Sequence, residues 1–315
     1  IYRFYILKYN ILMSVNPNNF VINGFEEHIN FFDKTECLNL MNAALDTRNI
    51  NELFLSKEMF EKEKKFKGVN PVVGRNLLEK MDTNFIFSSK KFNDKMIQVC
   101  GKKYQILNSK FVMGIPKKFI PKWVENELRD TLVSNLGPFI QEKYRDITYF
   151  SGIDFHQDII DHPDRNSDFI TVYIYLDKVD RNAAPLYLLQ NSHSLGPATF
   201  PHKLVKKNTN QYLYKNDFDK EIICDLKELT NDGGTLYYWN CNLLHGTQPQ
   251  TNDIPRISVR ILVKKDENDN EICLIDLSNN KINGPLSLSK TRIDLDTQGK
   301  GVIRGNIINK NKIFE

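Results

Sequence analysis

The sequence is poor in the residues that most often announce a function. Its five cysteines, Cys37, Cys100, Cys224, Cys241 and Cys273, are odd in number, scattered, and form no CxxC pair. That excludes a zinc ribbon, a thioredoxin-type redox motif and a disulfide scaffold, and fits reduced thiols in a cytoplasmic protein. No apolar run approaches the ~20 residues that cross a bilayer; the longest strong one, Phe169 to Leu176, has the length of a strand. Nor does one sign of charge dominate. The 43 Lys plus Arg and 39 Asp plus Glu leave a net +4, without the basic patch or stripe of a nucleic-acid binder. There is no internal repeat and no low-complexity block. What remains, 41% hydrophobic and 26% charged among 315 residues, is globular material that can bury a core. The expected partner is a small-molecule substrate, with no nucleic acid and no membrane. The first methionine is Met13, and the residues ahead of it, IYRFYILKYNIL, show neither a signal-peptide cleavage site nor a helical stripe. Residues 1–12 are expected to be a non-native upstream extension, leaving 13–315 as a single domain.

Within that span the texture changes once. The first third reads as helical and irregular: in Glu36 to Asp46, Leu38, Met41 and Leu45 recur at helical spacing, and EKEKKFKG then forms a solvated connector ending at Gly68. Pro121 suits the first turn of a helix carrying Val124, Leu128 and Leu132, which Gly137-Pro138 ends. Short segments rich in β-branched and aromatic residues follow: 147–155, 169–176, 186–190, 221–226, 234–244, 256–263 and 271–277. Serial short strands without intervening helices predict a mainly β fold, a jelly roll of cupin type over about 100–280. A helical elaboration over about 13–140 precedes it and a C-terminal extension, 281–315, follows it.

Six histidines are few enough to weigh one by one: His28, His156, His162, His193, His202 and His245. Two have a carboxylate two positions on, His156-Gln157-Asp158 and His162-Pro163-Asp164. With 39 acids in 315 residues, chance alone gives a histidine that neighbour about one time in eight. Context separates them. The first pair follows the strand-like run ITYFSGIDF, and in a strand residues i and i+2 share a face; the second lies in a proline-marked loop. His245 ends the run GGTLYYWNCNLL and is the candidate third ligand, brought alongside from a distant strand. Two histidines and a carboxylate form the facial triad of non-haem Fe(II) sites. Eleven residues after His245 stands Arg256, a guanidinium suited to grip a carboxylate presented beside the metal. Thr247 and Ser258 are hydroxyl candidates for the same ligand. His193 reads as a loop residue, and His28 and His202 as surface positions. Taken alone, Arg256 reads equally well as a surface partner of Asp253.

The segment FHQDIIDHPDRNSDFITVYIYLDKVDRNAAPLYLLQNSHSLG, with His245 and Arg256 downstream, resembles the phytanoyl-CoA dioxygenase family of Fe(II)/2-oxoglutarate-dependent oxygenases over roughly residues 100 to 265. The resemblance implies Fe(II) held by His156, Asp158 and His245. It implies 2-oxoglutarate as co-substrate, anchored by Arg256 with Thr247 or Ser258, O2 as oxidant, and hydroxylation of a C–H bond. The sequence departs from the family where a glycine-containing turn is usual, reading Asn182-Ala183-Ala184-Pro185-Leu186, and in the following loop Gln190-Asn191-Ser192-His193, where Asn191 can take the positive φ of a glycine. The competing readings are a non-catalytic jelly-roll binding protein, an oxygenase of macromolecules, and hydrolytic zinc chemistry, which leaves Arg256 without a role.

Overall fold

The β-branched and aromatic segments pair into one twelve-stranded hydrogen-bonded path in a computed structural model that describes residues 18–294 apart from 64, 65, 67, 130, 163 and 289. The expected extension 1–12 and residues 295–315 of the C-terminal extension lie outside the described residues. In chain order the strands are β1 (Phe25–His28), β2 (Gln105–Gly114), β3 (Val133–Asn135), β4 (Thr148–His156), β5 (Phe169–Tyr175) and β6 (Leu186–Leu189). They continue as β7 (Lys203–Asn208), β8 (Gln211–Lys215), β9 (Glu221–Leu229), β10 (Leu236–Asn240), β11 (His245–Thr247) and β12 (Arg256–Lys264). The spatial order is β1-β10-β5-β12-β2-β4-β11-β6-β9-β8-β7, with β3 on β4. The β2–β4 pair is parallel and joins two antiparallel limbs.

Those limbs face each other. Phe25, Val112, Tyr175, Tyr237 and Trp239 from the first pack with Leu186, Leu188 and Leu229 from the second in one buried cluster, as the jelly roll requires. The first limb is buried on its other face too, which is why β5 and β12 read as nearly continuous apolar runs. Ile257, Val259, Ile261 and Val263 of β12 point away from the interior and meet Cys37, Leu40, Met41 and Ala44 of α2 (Lys34–Asp46), after the short α1 (Asn19–Asn23). Phe92, Met96 and Val99 of the helix Lys90–Cys100 join the same cluster. Each such side chain stabilises the packing by roughly 1.5–3 kcal/mol. The α2 helix starts where Asp33 accepts hydrogen bonds from the backbone of Thr35 (2.8 Å) and Glu36 (3.1 Å).

Several sequence expectations need correction. The segment 271–277 is not a strand but leads into the helix Leu274–Asn279. Leu274, Ile275 and Leu277 bury one face of it, and Asp276 accepts from the Cys273 backbone at 2.9 Å to close its first turn. The run 234–244 breaks after Asn240, and the turn lets β11 begin at His245 on the opposite limb. The Pro121 helix stops at Glu127, so Leu132 packs with Ile159 and Ile160 instead of continuing the stripe. The buried stripe of α2 excludes Leu38, which is 41% exposed. Part of the connector is helical, Lys57–Glu63. The lead-in also contributes β1, β2 and β3, and the β7–β8 hairpin was not foreseen. All five cysteines are free and buried, and no described helix is long and apolar enough to cross a membrane.

The minor histidines are a further correction. His28 is only partly exposed and pairs with Glu26 at 3.1 Å. His193 sits fully buried in a short 3₁₀ turn, Ser192–Leu195, and His202 has its ring nitrogens buried between Phe200 and Tyr214, with no hydrogen-bond partner among the described residues. Burial disfavours their imidazolium forms and pushes their pKa values down to about 4 and about 3. Above the unfolded value near 6.5 both states are neutral and no penalty exists. As pH falls below ~6.5 the unfolded chain takes up protons that the folded chain refuses, so stability declines toward pH 4, by on the order of 3 kcal/mol per histidine. Urea unfolding of the metal-free protein at pH 7.5 and 4.5 measures this. His202→Phe, which suits the aromatic surroundings, is expected to flatten the decline; an unchanged slope would rule out His202 as a contributor.

Candidate metal centre

The centre forms where the two limbs exchange strands. His156 is the last residue of β4 and His245 the first of β11, and the two stand directly opposite each other in the antiparallel ladder, with ring centroids 4.2 Å apart. The strand ends there, so Asp158 reaches the same point from a 3₁₀ turn, Asp158–Asp161, and not from the strand face that the i, i+2 argument assumed. Gln157 fixes the reversal. Its side-chain amide donates to the carbonyls of Gly196 (2.9 Å) and Asn242 (2.7 Å), and its oxygen accepts from the Ala198 backbone (2.8 Å). Among the described residues, His156, Asp158 and His245 form the group whose donor atoms all lie within 4.8 Å of one another. His162 caps the 3₁₀ turn, packs on Phe169 at 5.0 Å and lines the cavity over the centre without joining the ligand group, and Asp164 is exposed, so the second HxD pair does not converge on that point.

The donor set suits a divalent metal. The Nδ1–H groups of His156 and His245 donate to the carbonyls of Asp154 (2.9 Å) and Leu243 (3.0 Å), which leaves each Nε2 lone pair free to ligate. Burial pushes both imidazoles toward the neutral form, His245 down to about 4. Burial would also raise the Asp158 carboxyl, but Arg260 foremost, then the two histidines and Thr171, hold it well below the usual carboxylate range. Arg260 Nη2 donates to Oδ1 at 2.6 Å, while Thr171 Oγ1 (2.6 Å) and Trp239 Nε1 (3.0 Å) donate to Oδ2. Two neutral imidazoles and one ionised carboxylate are the ligands a facial triad needs.

Of the three co-substrate candidates, Thr247 and Arg256 line the cavity over this point, and Ser258 is not part of that lining. Arg256 opens β12, is 7% exposed, donates through Nη1 to the Ala184 carbonyl, and has its Nε buried without a protein acceptor. Its alternative partner Asp253 is instead paired with Lys118 at 3.0 Å. Ser258 lies two residues along on the same face, fully buried with an unpartnered hydroxyl. Thr247 is held by the carbonyls of Ala184 (2.9 Å) and Pro185 (3.0 Å). Both segments that depart from the family's glycine pattern keep glycine-like backbone: Ala184 in the turn has φ 53° and Asn191 in the following loop φ 64°. An alanine is strained there, so Ala184→Gly is expected to stabilise the protein by roughly 0.5–1 kcal/mol after the entropic cost of glycine. A thermal melt that does not rise would show that the surroundings favour the alanine.

A cavity of about 390 Å³ opens over the centre, lined by His156, Asp158, His245, Thr247 and Arg256 together with Lys110 and Arg260. Arg260 and Trp239 escaped sequence reasoning. For Arg260 a signal existed, since period two places it on the face of Arg256 and Ser258. For Trp239 none did, because the contact with Asp158 spans 81 residues.

Among solved structures the chain is similar to the non-heme α-ketoglutarate-dependent epimerase SnoN from nogalamycin biosynthesis, at 10% identity, TM-score 0.48, over 78% of this chain and 80% of that one. It is also similar to EctD from S. alaskensis with bound Fe, at 11% identity, TM-score 0.46, over 87% and 86%. No curated protein matches it. The profile of the family described as phytanoyl-CoA dioxygenase (PhyH) matches residues 30–258. That match covers most of the sequence and contains the triad and Arg256, so the chain belongs to the phytanoyl-CoA dioxygenase family of 2-oxoglutarate-dependent non-heme oxygenases, with Fe(II), 2-oxoglutarate and O2 as its cofactors.

Proposed function

We propose that the protein hydroxylates a C–H bond of a small organic substrate, with His156, Asp158 and His245 as the iron ligands and Arg256 as the anchor of the distal carboxylate of 2-oxoglutarate. The observation that carries this reading is the opening of the triad and of a buried, incompletely bonded guanidinium onto one cavity. Iron and 2-oxoglutarate together supply the activation of O2, with succinate and CO2 as co-products. The chain's own residues bind and orient. The two Nδ1–H···O=C bonds fix the imidazole tautomers, Gln157 sets the turn that presents Asp158, and Arg256 offers charge-assisted hydrogen bonds to a carboxylate. Ser258 keeps a buried, unpartnered hydroxyl on the strand face of Arg256, and Thr247 chiefly braces the Ala184 turn. Buried aromatics around the centre, Trp239 and Tyr173 among them, exclude water. Zinc hydrolysis on the same ligands would leave Arg256 without a task.

Anaerobic addition of Fe(II) and 2-oxoglutarate is expected to produce a metal-to-ligand charge-transfer band, and admission of O2 to give succinate. With a candidate substrate present, the product is expected to gain one oxygen atom by mass spectrometry. Absence of band and succinate, with wild type indistinguishable from His156→Ala, would sink the reading.

A further inference from the structure

The inner face of β2 carries Asn108, Lys110 and Val112, and the ladder sets Lys110 directly opposite Arg260 of β12. Like charges at facing positions repel, and burial removes the water that would screen them. Lys110 is nevertheless 7% exposed, and both residues line the cavity. The Lys110 ammonium donates to a neutral acceptor, Asn70 Oδ1, at 2.5 Å, and among the described residues no carboxylate pairs with it. Arg260 commits one of its five N–H donors to Asp158. Asp161, the other acid on the cavity wall, is exposed and bonded by Arg292 at 3.2 Å. The lining thus holds three cationic side chains, Lys110, Arg256 and Arg260, against two carboxylates, before any metal is counted. In the function proposed above, the 2-oxoglutarate dianion answers the charge of Arg256 and of the iron site. Lys110 and the remaining donors of Arg260 are left without an anion.

We propose that the primary substrate carries an oxyanion group, a carboxylate or a phosphate, which Lys110 and Arg260 bind together, with the Asn70 and Asn108 amides beside it. This rests on the function proposed above, since it assigns the remaining charge of the same cavity. Burial and the neighbouring guanidinium push the Lys110 ammonium down to about 7, as expected of a cation with no carboxylate paired to it among the described residues.

The test titrates the full chain, loaded anaerobically with Fe(II) and 2-oxoglutarate, with hexanoate, hexyl phosphate and neutral hexanamide by calorimetry. One anion is expected to bind one-to-one, at least tenfold more tightly than the amide, and the better of the two identifies the head group. Lys110→Met is expected to lose that affinity tenfold or more while Lys110→Arg keeps most of it. Both variants are expected to hold 2-oxoglutarate within twofold of wild type and to melt no lower than it. Equal binding of the amide, no anion binding, or a Lys110→Met defect confined to 2-oxoglutarate would overturn the proposal, the last by giving Lys110 to the co-substrate. Failure of the charge-transfer band in wild type would instead strike the proposed function. The same titration on the metal-free chain still reads the Lys110→Met difference and decides this inference separately.

Discussion

Asp158→Ala is expected to abolish Fe(II) binding, to lower succinate formation by at least about 10³-fold, and to destabilise the metal-free protein by roughly 3–5 kcal/mol. The two effects have different origins. Loss of iron follows from removing the only anionic member of the proposed ligand set. Loss of stability follows from what Asp158 does without metal: it is the acceptor for Arg260, Thr171 and Trp239 at once, and only Arg260 among these is charged. Truncation strands a guanidinium that is 18% exposed, beside Lys110. Asp158→Asn separates the contributions, since it keeps an acceptor for Thr171 or Trp239 but no charge for Arg260, and is expected to lose the metal while forfeiting less stability. Iron stoichiometry and urea unfolding of the apoproteins measure both. Unchanged apoprotein stability in Asp158→Ala would show that Arg260 finds another counter-charge.

Arg256→Ala is expected to weaken 2-oxoglutarate binding by about 10²-fold or more, consistent with the 2–5 kcal/mol lost on truncating one partner of a buried charged pair, while leaving Fe(II) binding intact. The buried Nε without a protein acceptor is the physical ground. Titration of 2-oxoglutarate into the anaerobic Fe(II) protein, followed by the charge-transfer band, gives the dissociation constant directly. Arg256→Lys is expected to recover part of it, because an ammonium keeps the charge but not the planar fork. Loss of iron with an unchanged 2-oxoglutarate constant would reassign Arg256 to holding the Ala184 turn, whose carbonyl it already bonds.

The proposed ligands were legible in the sequence because His156 and His245 stand at strand ends and Asp158 follows two residues on, and Arg256 because of its fixed offset from His245, although the eleven residues cross from one limb to the other and do not close a hairpin. Residues that act across the barrel were not. Trp239 looks like ordinary sheet packing until β10 is seen to run past the 3₁₀ turn that carries Asp158. β2 was missed for a reason tied to function: Asn108 and Lys110 on its inner face interrupt the apolar alternation that marks a strand, and they do so because that face lines the cavity. The opposite error at 271–277 arose because a short apolar run does not distinguish strand from helix by itself. What decides is the packing of Leu274, Ile275 and Leu277 onto the helical layer.

The direct opposition of His156 and His245 in the β4–β11 ladder makes the proposed iron a register lock. A slip of one residue between these strands would turn one imidazole to the opposite face, so only the native alignment offers both nitrogens to one ion. Metal at a concentration well above its dissociation constant therefore stabilises that alignment alone, by RT ln(1 + [L]/Kd), and leaves misaligned pairings without the gain. The ion that supports turnover would also proofread a strand pairing whose partners stand 89 residues apart in the chain.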